Sequence, residues 1–193
     1  PQEVITAFEK EYNCKVVYDT YASNEEMFAK IKSGGSGYDI VFPSGDHVKM
    51  MIDAGLLEKL DMSKIKNFKN VNEIVLSKIT YDPNHEYSVP YMMGTTGIIV
   101  NKKYLQDFDK SWSIYERSDL KDRITLLDDM REVFGAALKY LGYSVNTTNP
   151  DEIEKAKEVI LKWKENILKF DATTYAQGIV NGEFWAVHGY PEN

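Results

Sequence analysis

KVVYDTYASNEEMFAKIKSGGSGYDIVFPSGDHVKMMIDAG, residues 15–55, is the stretch that decides the fold. Lys15-Val16-Val17-Tyr18 is a short β-rich run. Ser23 with Glu26 three residues later is a capping box, and Met27, Phe28 and Ile31 then share one helical face. Gly34, Gly35 and Gly37 end that helix, and Tyr38 to Phe42 reads as a buried strand stopped by Pro43. A short helix follows, with Val48, Met51 and Ile52 inward and Gly55 as its stop. Working outward, Val4, Ile5, Phe8 and Tyr12 make one face of an earlier helix, for which Pro1 suits the start. Helix, strand, helix, strand, helix predicts an α/β layered sheet.

Beyond Asp61 the signal is irregular as far as Pro83. Tyr87 to Met93 and Ile98 to Val100 read as strands around Gly94-Thr95-Thr96-Gly97, and residues 102–122 are polar and poorly periodic, as a crossover would be. The pattern then restarts. Arg123 to Leu127 reads as a strand, and a helix from near Asp129 carries Val133, Phe134, Ala137, Leu138 and Leu141 to a stop at Gly142. Asn149-Pro150 caps a second long helix with Ile153, Ala156, Val159, Ile160 and Trp163 inward. A short helix near Thr173 to Val180 and a strand at Phe184 to Val187 close the chain. The expected division is a first lobe at 1–103 and a second at 104–193.

Composition narrows the function classes. Apolar residues make up 43% of the 193, enough for a core. No run of about 18 apolar residues exists to make a membrane-spanning helix. The net charge of −7, with no basic face, argues against nucleic-acid binding and suits a cationic ligand. The single cysteine, Cys14, allows no internal disulfide and is expected to be buried.

Four groupings could carry chemistry. Ser44, Asp46 and His47 bring hydroxyl, carboxylate and imidazole together, but the G-x-S-x-G elbow is absent. There Asp46 is expected to cap the helix, at a strand end where open α/β sheets bind ligands. The glycines at 34, 35 and 37 follow a helix instead of preceding one, so a turn is expected, not a phosphate loop. His47, His85 and His188 are isolated, which predicts no metal site. Asp128, Asp129 and Glu132 lie where a strand feeds a helix. Asp129 as cap and Glu132 closing the box is one reading; a carboxylate pair suited to an ammonium group is another; general acid–base work is a third.

Several stretches, in order, resemble one family. They are Lys15-Val16-Val17-Tyr18-Asp19-Thr20-Tyr21-Ala22-Ser23-Asn24-Glu25, Gly37-Tyr38-Asp39-Ile40-Val41-Phe42-Pro43-Ser44, Tyr87-Ser88-Val89-Pro90-Tyr91, Asp128-Asp129-Met130-Arg131-Glu132-Val133-Phe134 and Leu141-Gly142-Tyr143-Ser144-Val145-Asn146-Thr147-Thr148. Together they resemble the bacterial spermidine/putrescine-binding proteins of ABC transporters, through essentially the whole chain.

The resemblance implies a type II periplasmic binding fold, two α/β lobes with a ligand cleft between them, incomplete in this chain. It implies capture of a polyamine, delivery to a membrane-embedded ABC permease, and a periplasmic place, free or lipid-anchored. It implies a monomer when complete, with no catalytic residues, no cofactor and no metal. Carried over by position, it assigns ligand contact to Ser44, Asp129 and Glu132. Tyr190 falls where the family has a cleft tryptophan, and Asp46 where it has a tyrosine, so an aromatic wall becomes a carboxylate. The family's first strand would lie before Pro1, and a second crossover, a tryptophan and an aspartate after Asn193. Two alternatives remain: the same fold holding another small ligand, and a hydrolase using Ser44 or the Asp129/Glu132 pair.

Overall fold

Ile124-Thr125-Leu126 is fully buried and forms strand β2 at the heart of a four-stranded sheet. The computed structural model describes residues 2–21, 23–35 and 37–191. Contacts group the chain into two compact units, Pro1–Tyr91 and Met92–Asn193.

The second unit holds the sheet. Its strands are β1 (Gly97–Val100), β2 (Ile124–Leu126), β3 (Lys169–Phe170) and β4 (Ala186–Gly189), in the order β1-β4-β2-β3. β2 runs parallel to β3 and β4, whereas β1 is antiparallel to β4, with Gly97 opposite Gly189. Helix α5 (Met130–Tyr140) follows β2, and α6 (Pro150–Trp163) packs against α5. Asn149 accepts from the Asp151 amide at 3.0 Å, with Pro150 in the first turn, as the Asn-Pro pair predicts. Helix α7 (Tyr175–Asn181) closes with Gly182 in the left-handed conformation at φ 79°.

The core between the sheet and these helices gathers Leu126, Val133, Ala137, Ala156 and Trp163. Ile153, expected inward, lies at the rim instead and is exposed. Residues 102–122 contribute more than a crossover. Two 3-10 turns, Trp112–Glu116 and Ser118–Leu120, bury Ile114, Tyr115 and Leu120. Such turns lack the 3.6-residue period by which buried helices are read.

The first unit is helical. It contains α1 (Gln2–Tyr12), α2 (Asn24–Lys32), α3 (Gly45–Asp53) and the single turn α4 (Glu73–Leu76). Ser23 caps α2 by accepting from the Glu26 amide at 3.2 Å. Gly55 ends α3 at φ 66°, and Val48 and Met51 face inward.

Three strands expected between residues 15 and 93, in the runs 15–18, 38–42 and 87–93, are not formed. A strand exists only by pairing, and these runs have no neighbouring ladder among the described residues. The Val16 amide is instead taken by the Glu9 carboxylate at 2.8 Å. Ile40 is 74% and Phe42 60% exposed, not buried. The apolar face of α1 is likewise uncovered, with the Phe8 and Tyr12 rings 4.6 Å apart and tilted by 32°. Cys14 is exposed, at the end of this uncovered helix.

The centre of the first unit's loop region is Asp82. Its buried carboxylate accepts the amides of Glu86, Tyr87 and Ser88 and the Ser88 hydroxyl, at 2.8–3.1 Å. Burial alone would raise its pKa, but these donors prevail and hold it below the usual carboxylate value.

Candidate functional site

The strand directions of the second unit define one edge of the sheet. β2, β3 and β4 all end there, and the antiparallel β1 begins there. The residues just past those strand ends therefore gather at one rim, where open α/β sheets hold their ligands. Thr96 precedes β1, Asp129 and Glu132 follow β2, Asp171 follows β3, and Tyr190 follows β4.

Asp129 is the N-cap of α5, with extended backbone at φ −144° and ψ 112°. Its Oδ1 accepts the Glu132 amide at 3.0 Å. The capping half of the sequence reading is thus present. Glu132, however, does not close the box by turning back to the cap. Its Oε2 accepts the Thr96 hydroxyl at 2.5 Å, and both residues are half-buried. A carboxylate in a helix's first turn also gains from the dipole. Asp128 points to solvent. Among the described residues, nothing engages Asp129 Oδ2 or Glu132 Oε1, so each acid keeps an oxygen able to accept a further hydrogen bond. Thr96 was not legible as part of this group, because its partner lies 36 residues away.

Tyr190 is half-buried beside a small cluster that includes Tyr175 and Val187. The Tyr175 hydroxyl fixes its backbone, accepting from the Tyr190 amide at 2.9 Å. The Tyr175 ring comes close to Gly189, where an added Cβ would lie 2.3 Å from its Cε2.

Asp171 is buried and fully committed to its own loop. It accepts the amides of Thr173 and Thr174 at 2.9 and 2.8 Å, the Thr174 hydroxyl, and the Lys169 ammonium at 2.9 Å. Burial would raise its pKa, yet these partners hold it well below the usual range. It orders the turn that leads into α7, whose cap position is Thr174, and all four of these bonds engage its two oxygens.

Ser44 and Asp46 belong to the first unit, at the start of α3. The cap position is held by Ser44, not by Asp46 as the sequence suggested, because Asp46 already lies inside the first turn. The Ser44 hydroxyl donates to Asp46 Oδ1 at 2.6 Å and lies 3.2 Å from His47 Nδ1. Asp46 Oδ2 stands 3.4 Å from that same nitrogen. A Ser-His-Asp relay needs the serine and the acid on opposite ring nitrogens. Here both meet Nδ1, so this arrangement lacks the geometry of that relay.

The family of bacterial extracellular solute-binding proteins matches residues 3–193. The spermidine/putrescine-binding periplasmic protein of Salmonella typhimurium is 43% identical over 96% of this chain and 55% of its own length. The putrescine/cadaverine-binding protein of Pseudomonas aeruginosa is 35% identical over 98% of this chain and 55% of its own. Among solved structures, the TpPotD lipoprotein of Treponema pallidum superposes with a TM-score of 0.94 at 51% identity, covering all of this chain and 60% of that one. The spermidine/putrescine substrate-binding protein PotD of Streptococcus pneumoniae gives 0.77 at 33%, covering 99% and 59%. The architecture is that of a type II periplasmic binding protein in part: the chain spans about 55% of the length of these curated relatives.

Proposed function

Because the chain belongs to the family of bacterial extracellular solute-binding proteins, we propose that it is part of a receptor that captures a polyamine, spermidine or putrescine. The receptor works outside the cytoplasm, in the periplasm or anchored there by lipid, as a monomer, and hands its cargo to a membrane-embedded ABC permease. The observation that carries this reading is the carboxylate pair Asp129 and Glu132 at the sheet edge, each with one oxygen that has no hydrogen-bond partner among the described residues. An ammonium group offers several donors and no acceptor, so two acids one helical turn apart complement it.

The remaining contacts follow from chemistry. Tyr190 offers an aromatic face on which methylenes and cations both pack. Within the first unit, Ser44 and Asp46 offer a hydroxyl and a carboxylate at the start of α3. Net charge of −7 assists capture of a polycation. Catalysis has no place in this reading, since Ser44 and Asp46 crowd one nitrogen of His47.

Calorimetric titration of this chain with spermidine and putrescine tests the proposal. Saturable binding that Asp129→Asn weakens at least tenfold is expected. Absence of binding to either amine, or equal affinity in the variant, would overturn it.

A further inference from the structure

Glu132 is a long side chain, and free in solution it samples many rotamers. In the structure its carboxylate is pinned at one oxygen by Thr96, from the loop that enters β1. The hydroxyl donates, so it takes up one lone pair of Oε2 and leaves Oε1 for another donor. Thr96 and Glu132 both belong to the second unit and sit at the same sheet edge as Asp129 and Tyr190.

We propose that Thr96 is a positioning residue that holds the Glu132 carboxylate ready for a ligand's ammonium group and so sets affinity. This rests on the polyamine reading above. A carboxylate fixed before the ligand arrives loses little rotamer freedom on binding, and preorganisation of one such side chain is worth roughly two- to tenfold in affinity. β-branched Thr96 suits the task, because its own χ1 is stiff. A lysine or arginine in its place would neutralise the acid. A hydroxyl orients it and preserves its charge for the ligand.

The test compares Thr96→Val, which keeps the shape and removes the hydroxyl, with Thr96→Ser, which keeps the hydroxyl. In the ligand-free chain, NMR relaxation of the Glu132 side-chain methylenes reads its order directly. Calorimetry with spermidine reads affinity, and thermal melting checks folding. Order at Glu132 is expected to fall in Thr96→Val and return in Thr96→Ser. Affinity is expected to fall about fivefold in the valine variant and to recover in the serine variant, at similar melting temperatures. Unchanged Glu132 order in the valine variant, or unchanged affinity despite lost order, overturns the assignment. If Glu132 order responds as expected but the unmodified chain takes up no spermidine, the polyamine reading fails and the ligand role of Thr96 falls with it.

Discussion

The Oδ1 atom of Asp129 accepts the amide of Glu132 at 3.0 Å, so the same hydrogen bond that starts α5 fixes the spacing of its two acids. Structure and proposed ligand grip share one side chain. They can still be separated by substitution.

Asparagine caps helices about as well as aspartate, whereas alanine does not. Asp129→Asn should therefore keep α5 and lose only the charge and its share of the dipole interaction, a few tenths of a kcal/mol. Asp129→Ala should cost about 1 kcal/mol of stability as well. Spermidine binding should fall in both. Urea denaturation beside calorimetry distinguishes the two effects. Equal stability loss in both variants would show that the cap is not the structural role of Asp129.

Asp82 should behave as a structural residue of the first unit. Its removal strands three amides and a hydroxyl, all aimed at one point. Leaving one buried donor unpaired costs about 1–3 kcal/mol. Asp82→Ala should then expose the amides of Glu86, Tyr87 and Ser88 to rapid hydrogen exchange, with a clear drop in stability. The pH sign follows from its depressed pKa. The stabilisation is present above about 4, the unfolded value, and is lost as pH falls through the lower folded value. Persistent protection of those three amides in the alanine variant would show that the carboxylate is not what orders the loop.

His188 should impose a separate acid limit on the second unit. The imidazole is completely buried on β4, edge-on to Trp112 at 4.9 Å, and neither ring nitrogen has a partner among the described residues. Burial pushes its pKa down to about 4. The unfolded chain protonates it near pH 6.5. Unfolding therefore takes up a proton between those values, and stability falls as pH drops from about 6.5 to about 4, by about 3 kcal/mol in all. His188→Phe keeps an aromatic ring beside Trp112 and should flatten that window, leaving the Asp82 loss at lower pH in place. Thermal melts across pH 7 to 3 would show both steps, and an unaltered slope above pH 4 in the phenylalanine variant would exclude His188 as the cause.

The two units differ in how much of them could be read from sequence. In the second unit, short apolar runs such as Ile124-Thr125-Leu126 pair with strands of the same unit, so local pattern and final structure agree. Helix starts were legible in both units, because Ser23, Asp129 and Asn149 bond to amides two or three residues away. Val16 and Ile40 read as strand residues for the same local reasons, but a ladder is a non-local object, and among the described residues no pairing strand reaches them. The site divides along the same line. Asp129 and Glu132 were visible as a local pair; the Thr96 bond to Glu132 was not, since nothing near Thr96 announces a partner 36 residues on. Nor could sequence tell that Asp46 and Ser44 would both turn to one nitrogen of His47, because that depends on where the first turn of α3 begins.

Gly189 offers the last test, of how Tyr190 is placed. β4 ends on this glycine, opposite Gly97 of β1, and the Tyr175 ring covers it so closely that an added Cβ would sit 2.3 Å away. The same tyrosine accepts the Tyr190 amide at 2.9 Å. A methyl group at 189 must push the ring outward, and the ring is almost fully buried, so it has little room to yield. Overpacking of this kind typically costs about 1–3 kcal/mol. Gly189→Ala should destabilise the second unit by that order and weaken the bond from the Tyr190 amide to the Tyr175 hydroxyl. Tyr175→Phe removes the hydroxyl without the clash. If Tyr190 takes part in binding through this anchor, both variants should weaken spermidine affinity, the phenylalanine one with the smaller loss of stability. Full affinity in Tyr175→Phe would show that Tyr190 is held in place by its own packing, or that it does not meet the ligand.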